Sequence, residues 1–164
     1  MLRSAVIIFS LCLLFSVGQR VHAQKDNHPI GARSAAMGNA SVTFDDFWSI
    51  HNNQAGMAFY NEMAAGIYGE NRFLMKELTQ GAFGFVLPVK KAGVFGVTYN
   101  YFGYQLYNES KVGLAYAMAF GERLSAGVQL DYLRTHIAED YGNANIFTFE
   151  IGLRAIIIKN LDRK

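Results

Sequence analysis

The second half of the chain alternates with a period of two between bulky apolar residues and small or polar ones. From Val112 to Phe120, every second side chain is large and apolar, and the residues between are glycine or alanine. Successive side chains of a β-strand point to opposite faces of the sheet, so the pattern predicts a strand with one apolar face. The same reasoning predicts six strands, at about 63–72, 80–88, 93–102, 111–120, 124–134 and 145–157. The fold class is therefore predicted to be all-β and antiparallel.

Strand length and link length indicate an up-and-down transmembrane β-barrel. Most of the predicted strands have about the 9–11 residues that a tilted strand needs to cross a bilayer. The links at 89–92 and 121–123 are predicted to be short and those at 103–110 and 135–144 long, as in outer-membrane barrels. An aromatic girdle is predicted near one strand end, from Tyr99, Tyr101, Phe102, Tyr104 and Tyr107. Since a single-chain barrel needs about eight strands, the six strands of 63–164 predict a partial barrel, the N-terminal part of a longer one.

The first 23 residues are typical of a secretory signal peptide. Arg3 precedes an apolar run from Ala5 to Val17, and Val21-His22-Ala23 is a small-x-small cleavage site that predicts cleavage after Ala23. The full chain has 15 Lys and Arg against 13 Asp and Glu, and two of the cations lie in the leader, so the mature chain is neutral. This balance leaves no basic surface for nucleic acid. The predicted location is the outer membrane.

Residues 24–62 do not alternate, and they are predicted to form a small plug before the first strand. The stretch Asp45–His51 is predicted to form one or two helical turns, with Asp45 as the N-cap residue. Phe47 and Ile50 are then expected to share one face of that helix.

This region carries a family resemblance. Residues 31–42 read GARSAAMGNASV, Asp45 and Asp46 form an acidic pair, and Asn53-Gln54-Ala55-Gly56 stands where the related motif is Asn-Pro-Ala-Gly. These motifs resemble FadL-like outer-membrane proteins, most closely the PorV/PorQ group of the Bacteroidetes; Gln54 departs from the family pattern. The resemblance implies a barrel of about fourteen strands with an N-terminal plug. It also implies either transport of hydrophobic molecules or a type IX secretion role in binding exported proteins.

Charged residues on the small-residue side of the strands are the candidate lumenal site: Lys111, Asp131, Glu150 and Arg154. If the last two strands are neighbours, Asp131 or Glu150 is expected close to Arg154. One interpretation is a lumenal charge cluster that tunes passage, and the other is a structural ion pair between plug and wall.

The sequence shows no catalytic or metal-binding pattern. His28, His51 and His136 are scattered without the spacing of metal ligands, and no phosphate loop or nucleophile elbow is present. We therefore expect no enzyme and no cofactor. The expected function is outer-membrane transport of small hydrophobic solutes, with outer-membrane lipid as the surrounding partner. Two alternatives stay open: an accessory barrel that binds proteins of the secretion system, and a soluble periplasmic β-sandwich.

Overall fold

A computed structural model describes residues 30–90, 92–138 and 142–157. The predicted leader with its cleavage point after Ala23, His28, and the residues from 158 onward lie outside the described residues. The helices are α1 (Ala32–Ala36), α2 (Ser49–Asn52) and α3 (Gln54–Met57), and 3-10 turns cover Arg72–Leu74 and Lys76–Leu78. The strands are β1 (Ala64–Asn71), β2 (Thr79–Val89), β3 (Gly93–Gly103), β4 (Tyr107–Phe120), β5 (Leu124–Ile137) and β6 (Gly142–Ala155).

The six strands form one antiparallel sheet in the order of the sequence, β1-β2-β3-β4-β5-β6. This arrangement confirms the all-β class and the up-and-down order that the alternation predicted. Within the described residues, β1 and β6 are the two edges of the sheet. None of the helices in this part of the chain is both long and apolar enough to span a membrane.

The predicted difference between short and long links is wrong at two places. The link after β3 is only 104–106, because β4 begins at Tyr107, and the link after β5 is only 138–141. The strands extend into these polar stretches because their backbones keep pairing, from Tyr107 opposite Ile137 onward. Backbone hydrogen bonds do not depend on side-chain polarity, so the loss of apolar alternation did not mark the strand end. The longest link is 72–78, which holds the two 3-10 turns.

The small residues of the strands face the N-terminal segment, residues 30–62. We call this side of the sheet the small-residue face and the opposite side the bulky face. The main core lies between the segment and the small-residue face. It consists of Ile50, Met57, Val86, Val94, Ala115 and Ala117, with Phe47, Ala58 and Tyr60 packed against it.

Glycines on the small-residue face provide the room for this packing. A Cβ added at Gly66 would lie 2.6 Å from Cε1 of Phe47, and one at Gly96 would lie 2.5 Å from Cδ1 of Ile50. A Cβ at Gly127 would lie 2.6 Å from the backbone carbonyl carbon of Gln54. Real Cβ atoms do not approach other heavy atoms so closely, so the segment fits the sheet only where the strands lack side chains.

The bulky face is exposed in the described chain. Leu114 in the middle of the sheet is 60% exposed and Phe149 on β6 is 75% exposed. Tyr116 and Val128, which a β-sandwich would bury under a second sheet, lie on this same exposed face. Described residues form no second layer over it.

Candidate functional site

A polar cluster lies on the small-residue face where β4, β5 and β6 run side by side, with its β5 members buried and its β6 member partly exposed. Lys111 comes from β4, Asp131 and Gln129 from β5, and Glu150 from β6. The register places Gln129 directly opposite Glu150, and Asp131 opposite Gly113 of β4, two residues from Lys111. Alternation therefore puts all four side chains on one face, and strand pairing brings them together.

The ammonium group of Lys111 joins two carboxylates. Its Nζ lies 2.7 Å from Oε1 of Glu150 and 3.7 Å from Oδ2 of Asp131. The side-chain amide of Gln129 donates to Oδ1 of Asp131 at 2.7 Å, and Asp131 is fully buried. A buried carboxylate is tolerated only when paired and hydrogen-bonded, and here both conditions are met.

The N-terminal segment joins this cluster through Gln54. Its Nε2 donates to Oε2 of Glu150 at 2.8 Å and to Oε1 of Gln129 at 3.3 Å. Gln54 is 2% exposed. Gln54 thus contacts the charged cluster directly. The alternation of β5 placed Gln129 on this face, but nothing in the sequence of residues 24–62 singled out Gln54 as its partner.

Arg154 does not join the cluster, and the expectation that it would approach Asp131 or Glu150 is corrected. It is four residues from Glu150, or about 13 Å along the strand, and it pairs with Ser125 of β5. Its Nη2 instead lies 3.2 Å from Oδ2 of Asp45, and its Nε donates to the carbonyl of Thr43 at 3.1 Å. Arg154 therefore joins β6 to the N-terminal segment, while Lys111 provides the positive charge of the cluster.

Asp45 does not cap a helix as predicted. α2 begins at Ser49 after Trp48, and the residue whose side chain bonds the backbone there is Asp46, whose Oδ1 accepts from the Trp48 amide at 3.1 Å. Asp46 also pairs with Arg33 at 3.4 Å. The helical stretch is shorter than predicted because residues 46–48 form a turn closed by the Asp46 carboxylate, leaving Asp45 to Arg154.

The Asn53–Gly56 motif fixes the segment to the last two strands. The side chain of Asn53 accepts from the Ala55 amide at 3.2 Å and donates to the carbonyls of Val42 at 2.8 Å and Leu153 at 3.3 Å. The carbonyl of Ala55 accepts from the Ser125 hydroxyl at 2.7 Å. At Gly56 a side chain would collide with the carbonyl oxygen of Phe44. The motif residues Asn53, Ala55 and Gly56 thus have structural contacts, and Gln54 is the one that reaches the charges.

His51 is a partly buried titratable residue of α2 to which the sequence pattern assigned no role. Burial, with a further contribution from the Lys111 ammonium, lowers the pKa of His51 to about 4, although a backbone bond to Phe83 and the Glu150 carboxylate act the other way. Its Nε2 has no hydrogen-bond partner among the described residues. At neutral pH the imidazole is uncharged. No group of three or more His, Cys, Asp or Glu in the described ranges is arranged to hold a metal ion.

Two cavities lie between the N-terminal segment and β6. One of about 350 Å³ is lined largely by polar side chains, among them His51, Gln54 and Glu150. The other, of about 550 Å³, combines the apolar residues Phe44 and Ile156 with the charges of its remaining wall. That wall includes Arg33, Asp45 and Arg154. Both cavities therefore lie beside β6, next to the interface that holds the segment to the sheet.

Comparison with known proteins finds no matching family model, no matching curated protein and no matching solved structure.

Proposed function

We propose that this chain forms part of the wall of an outer-membrane β-barrel, closed on its inner side by residues 30–62 as a plug, and that it serves the passage of small hydrophobic solutes. The observation that carries the proposal is an apolar band of constant height across the bulky face. On β4 the band runs from Val112 to Phe120 and on β5 from Leu124 to Tyr132.

The band ends at the same level on neighbouring strands. Beyond Val112 the next residue on this face is Ser110, which pairs with Arg134, and Arg134 pairs with Asn145. At the opposite end the strands turn through Glu122 and Arg123. Eight steps along a strand are about 26 Å, and at the usual tilt this is about 20 Å of depth, close to the apolar band of barrels.

Lipid is the surrounding that suits this band. Exposing such a continuous apolar surface to water is costly in free energy. The described residues form no second protein layer that would cover it. A sharp polar boundary shared by three strands is what a membrane interface requires, because each strand crosses it at the same height. These arguments support the membrane wall over the soluble β-sandwich.

Passage is supported by the inner side of the sheet. The N-terminal segment packs on the glycines of the small-residue face. The cavity of about 550 Å³ beside it is lined by apolar residues such as Phe44 and Ile156 together with the charged residues Arg33, Asp45 and Arg154. A small solute with an apolar body and a polar group fits such a mixed lining.

Tryptophan fluorescence tests the membrane wall. Trp48 is the single tryptophan, so Leu114→Trp in a Trp48→Phe background reports one position on the bulky face. In phosphatidylcholine vesicles that contain lipids brominated deep in the acyl chain, we expect strong quenching of Leu114→Trp. Arg134→Trp, on the same face but beyond the band, is the control and stays unquenched. Emission of Leu114→Trp typical of water, without quenching, would refute the membrane wall.

A secretion accessory is the second candidate, and one feature favours it. In the link between β1 and β2, Phe73 is 85% and Leu74 is 94% exposed, above the polar end of the band. Both have φ of 56°, in the left-handed region that bulky residues avoid. An exposed apolar pair outside the band suits a protein contact. Loss of a co-purifying secretion component in Phe73→Ser would support this function, and unchanged passage of solutes in the same variant would separate the two.

A further inference from the structure

Among the contacts described above, Gln54 is the one residue of the N-terminal segment that bonds to the charged cluster of Lys111, Asp131 and Glu150. Its amide group donates two hydrogen bonds to two different strands, to Glu150 of β6 and to Gln129 of β5. The two carboxylate oxygens of Glu150 are thus divided, Oε1 to Lys111 and Oε2 to Gln54. A segment that moves away from the sheet must break this charge-assisted contact.

The cluster under Gln54 carries more negative than positive charge. Asp131 and Glu150 are two carboxylates, and Lys111 is the ammonium group that joins them. His51, packed nearby on the segment, is uncharged at neutral pH because its pKa is lowered to about 4 by burial and by Lys111. Gln54 adds hydrogen-bond donors but no charge, so it bonds to Glu150 without changing the net charge of the cluster.

The wall at this level is also rich in acceptor atoms. Thr98 on β3 is fully buried, and its hydroxyl has no hydrogen-bond partner among the described residues. Its Oγ1 lies over Gly113, and Oδ1 of Asp131 and Nε2 of Gln129 approach the same glycine, at 2.6 Å and 2.7 Å from where a Cβ would stand. Because that Nε2 already donates to Asp131, the hydroxyl and carboxylate oxygens favour a cation or a hydrogen-bond donor over an anion.

We infer that Gln54 holds the plug closed over a wall site with an excess negative charge, so that the passage which opens when the plug moves admits neutral and cationic solutes and disfavours anions. The inference rests on the proposed function, since it assumes that the sheet is the wall of a passage. Gln54, the residue that departs from the family motif, then makes the contact that holds the plug in place.

Cysteine accessibility measures the closure. The single cysteine of the chain, Cys12, lies in the predicted leader, so Ala117→Cys is a unique thiol in the mature protein, on the wall beneath the segment. The full mature chain is reconstituted in phosphatidylcholine vesicles and treated with a water-soluble maleimide. In Gln54→Glu a carboxylate faces Glu150, and we expect the labelling rate to rise about tenfold or more.

A matched control and a rescue separate the contact from general loss of stability. Gln80→Ala removes a glutamine that is also buried on the small-residue face but lies on β2, and we expect less than a roughly twofold change in labelling. Gln54→Glu with Glu150→Gln exchanges donor and acceptor, and labelling is expected to return toward the starting rate. Equal labelling in Gln54→Glu and the starting protein, or no recovery in the double variant, would overturn the closure by Gln54.

Charge preference is measured on Gln54→Ala, which removes the two hydrogen bonds of Gln54 without adding a charge. With a KCl gradient across a planar bilayer, the reversal potential of Gln54→Ala is expected on the cation-selective side, and anion selectivity would overturn the second half of the inference. Leu114→Cys distinguishes this failure from failure of the proposed function. If the thiol on the bulky face reacts freely with the water-soluble maleimide, the wall is not in lipid and both proposals fall; if it stays shielded, only the inference does.

Discussion

Nζ of Lys111 lies 2.7 Å from Oε1 of Glu150, although β4 and β6 are not neighbours and the lysine side chain must cross β5 to reach it. On its way it passes Asp131, whose Oδ2 is 3.7 Å away. One lysine thus joins three strands on the side of the sheet that faces the N-terminal segment. The contact ties the middle of the sheet to its last strand independently of the backbone pairing.

Removing this lysine charge is predicted to destabilise the protein strongly. Lys111→Met keeps the length of the side chain but leaves Asp131, which is fully buried, and Glu150 without their cation. Removing the cation from the fully buried Asp131 costs up to about 3–5 kcal/mol, while Glu150, whose side chain is 37% exposed, contributes little because water screens it. Urea unfolding in detergent micelles measures the loss. Lys111→Met with Asp131→Asn is expected to recover part of it, and a single variant as stable as the starting protein would show that the charges are solvated.

The strand surface on which the N-terminal segment packs is predicted not to tolerate one added methyl group at Gly127. In Gly127→Ala the added Cβ would lie 2.6 Å and 2.7 Å from backbone atoms of Gln54 and Ala55, which cannot rotate away. Overpacking of this kind costs about 1–3 kcal/mol. Gly81→Ala is the matched control, because nothing lies within 4 Å of its Cβ position. Unfolding free energies of the two variants should differ by about 2 kcal/mol, and equal values would contradict the close seating.

Charge reversal at Arg154 is predicted to act on stability and to be repaired from the N-terminal segment. The guanidinium of Arg154 is mostly buried and contacts Asp45 at 3.2 Å, while Asp45 itself is largely exposed. Arg154→Glu is therefore expected to cost about 1–2 kcal/mol, and Arg154→Glu with Asp45→Arg should recover about half of the loss. Thermal unfolding measures both. If Arg154→Glu changes solute passage but leaves the melting temperature unchanged, the arginine tunes passage instead of bracing the two layers.

The alternation of side chains was enough to predict the six strands and which residues share a face, because both follow from the period of two alone. It was not enough to predict which charges meet. That depends on register, which places Gln129 opposite Glu150 but Ser125 opposite Arg154. The partners of Arg154 and Glu150 within residues 30–62 depend on packing between distant parts of the chain, and Asp45 and Gln54 carry no local signal for it. The first residue of β4 was missed because Tyr107 pairs through its backbone, where the side-chain pattern is silent.

Acid is predicted to destabilise the protein through His51. Its pKa is lowered from 6.5 to about 4 in the folded protein, chiefly by burial and then by Lys111. The unfolded chain therefore takes up a proton as the pH falls through 6.5, while the folded protein does so only near pH 4. The stability present above pH 6.5 is lost over this window, by at most about 3 kcal/mol.

Comparison with His51→Gln isolates this contribution, since glutamine does not titrate. Unfolding free energies of the two proteins are measured between pH 7 and pH 4 (an interval of about 3 units in which each unit of pKa difference is worth about 1.4 kcal/mol). The difference curve should fall with decreasing pH in favour of the variant. A difference that stays constant over the interval would mean that His51 is solvated in the folded protein.

The link between β1 and β2 is predicted to become more stable when its backbone strain is relieved. Leu74 has φ of 56° and is 94% exposed. Its side chain therefore adds little packing energy to offset the cost of the left-handed backbone conformation. Leu74→Asn places there a residue that tolerates this region, and we expect the free energy of unfolding to rise by about 0.5–1 kcal/mol. Val112→Asn, a similar change on the bulky face where the backbone is extended, should lower it instead. A loss of stability in Leu74→Asn would show that the leucine packs against the protein or the membrane. A gain in stability accompanied by loss of a bound protein would identify the link as a protein-contact surface in which the strained backbone serves binding.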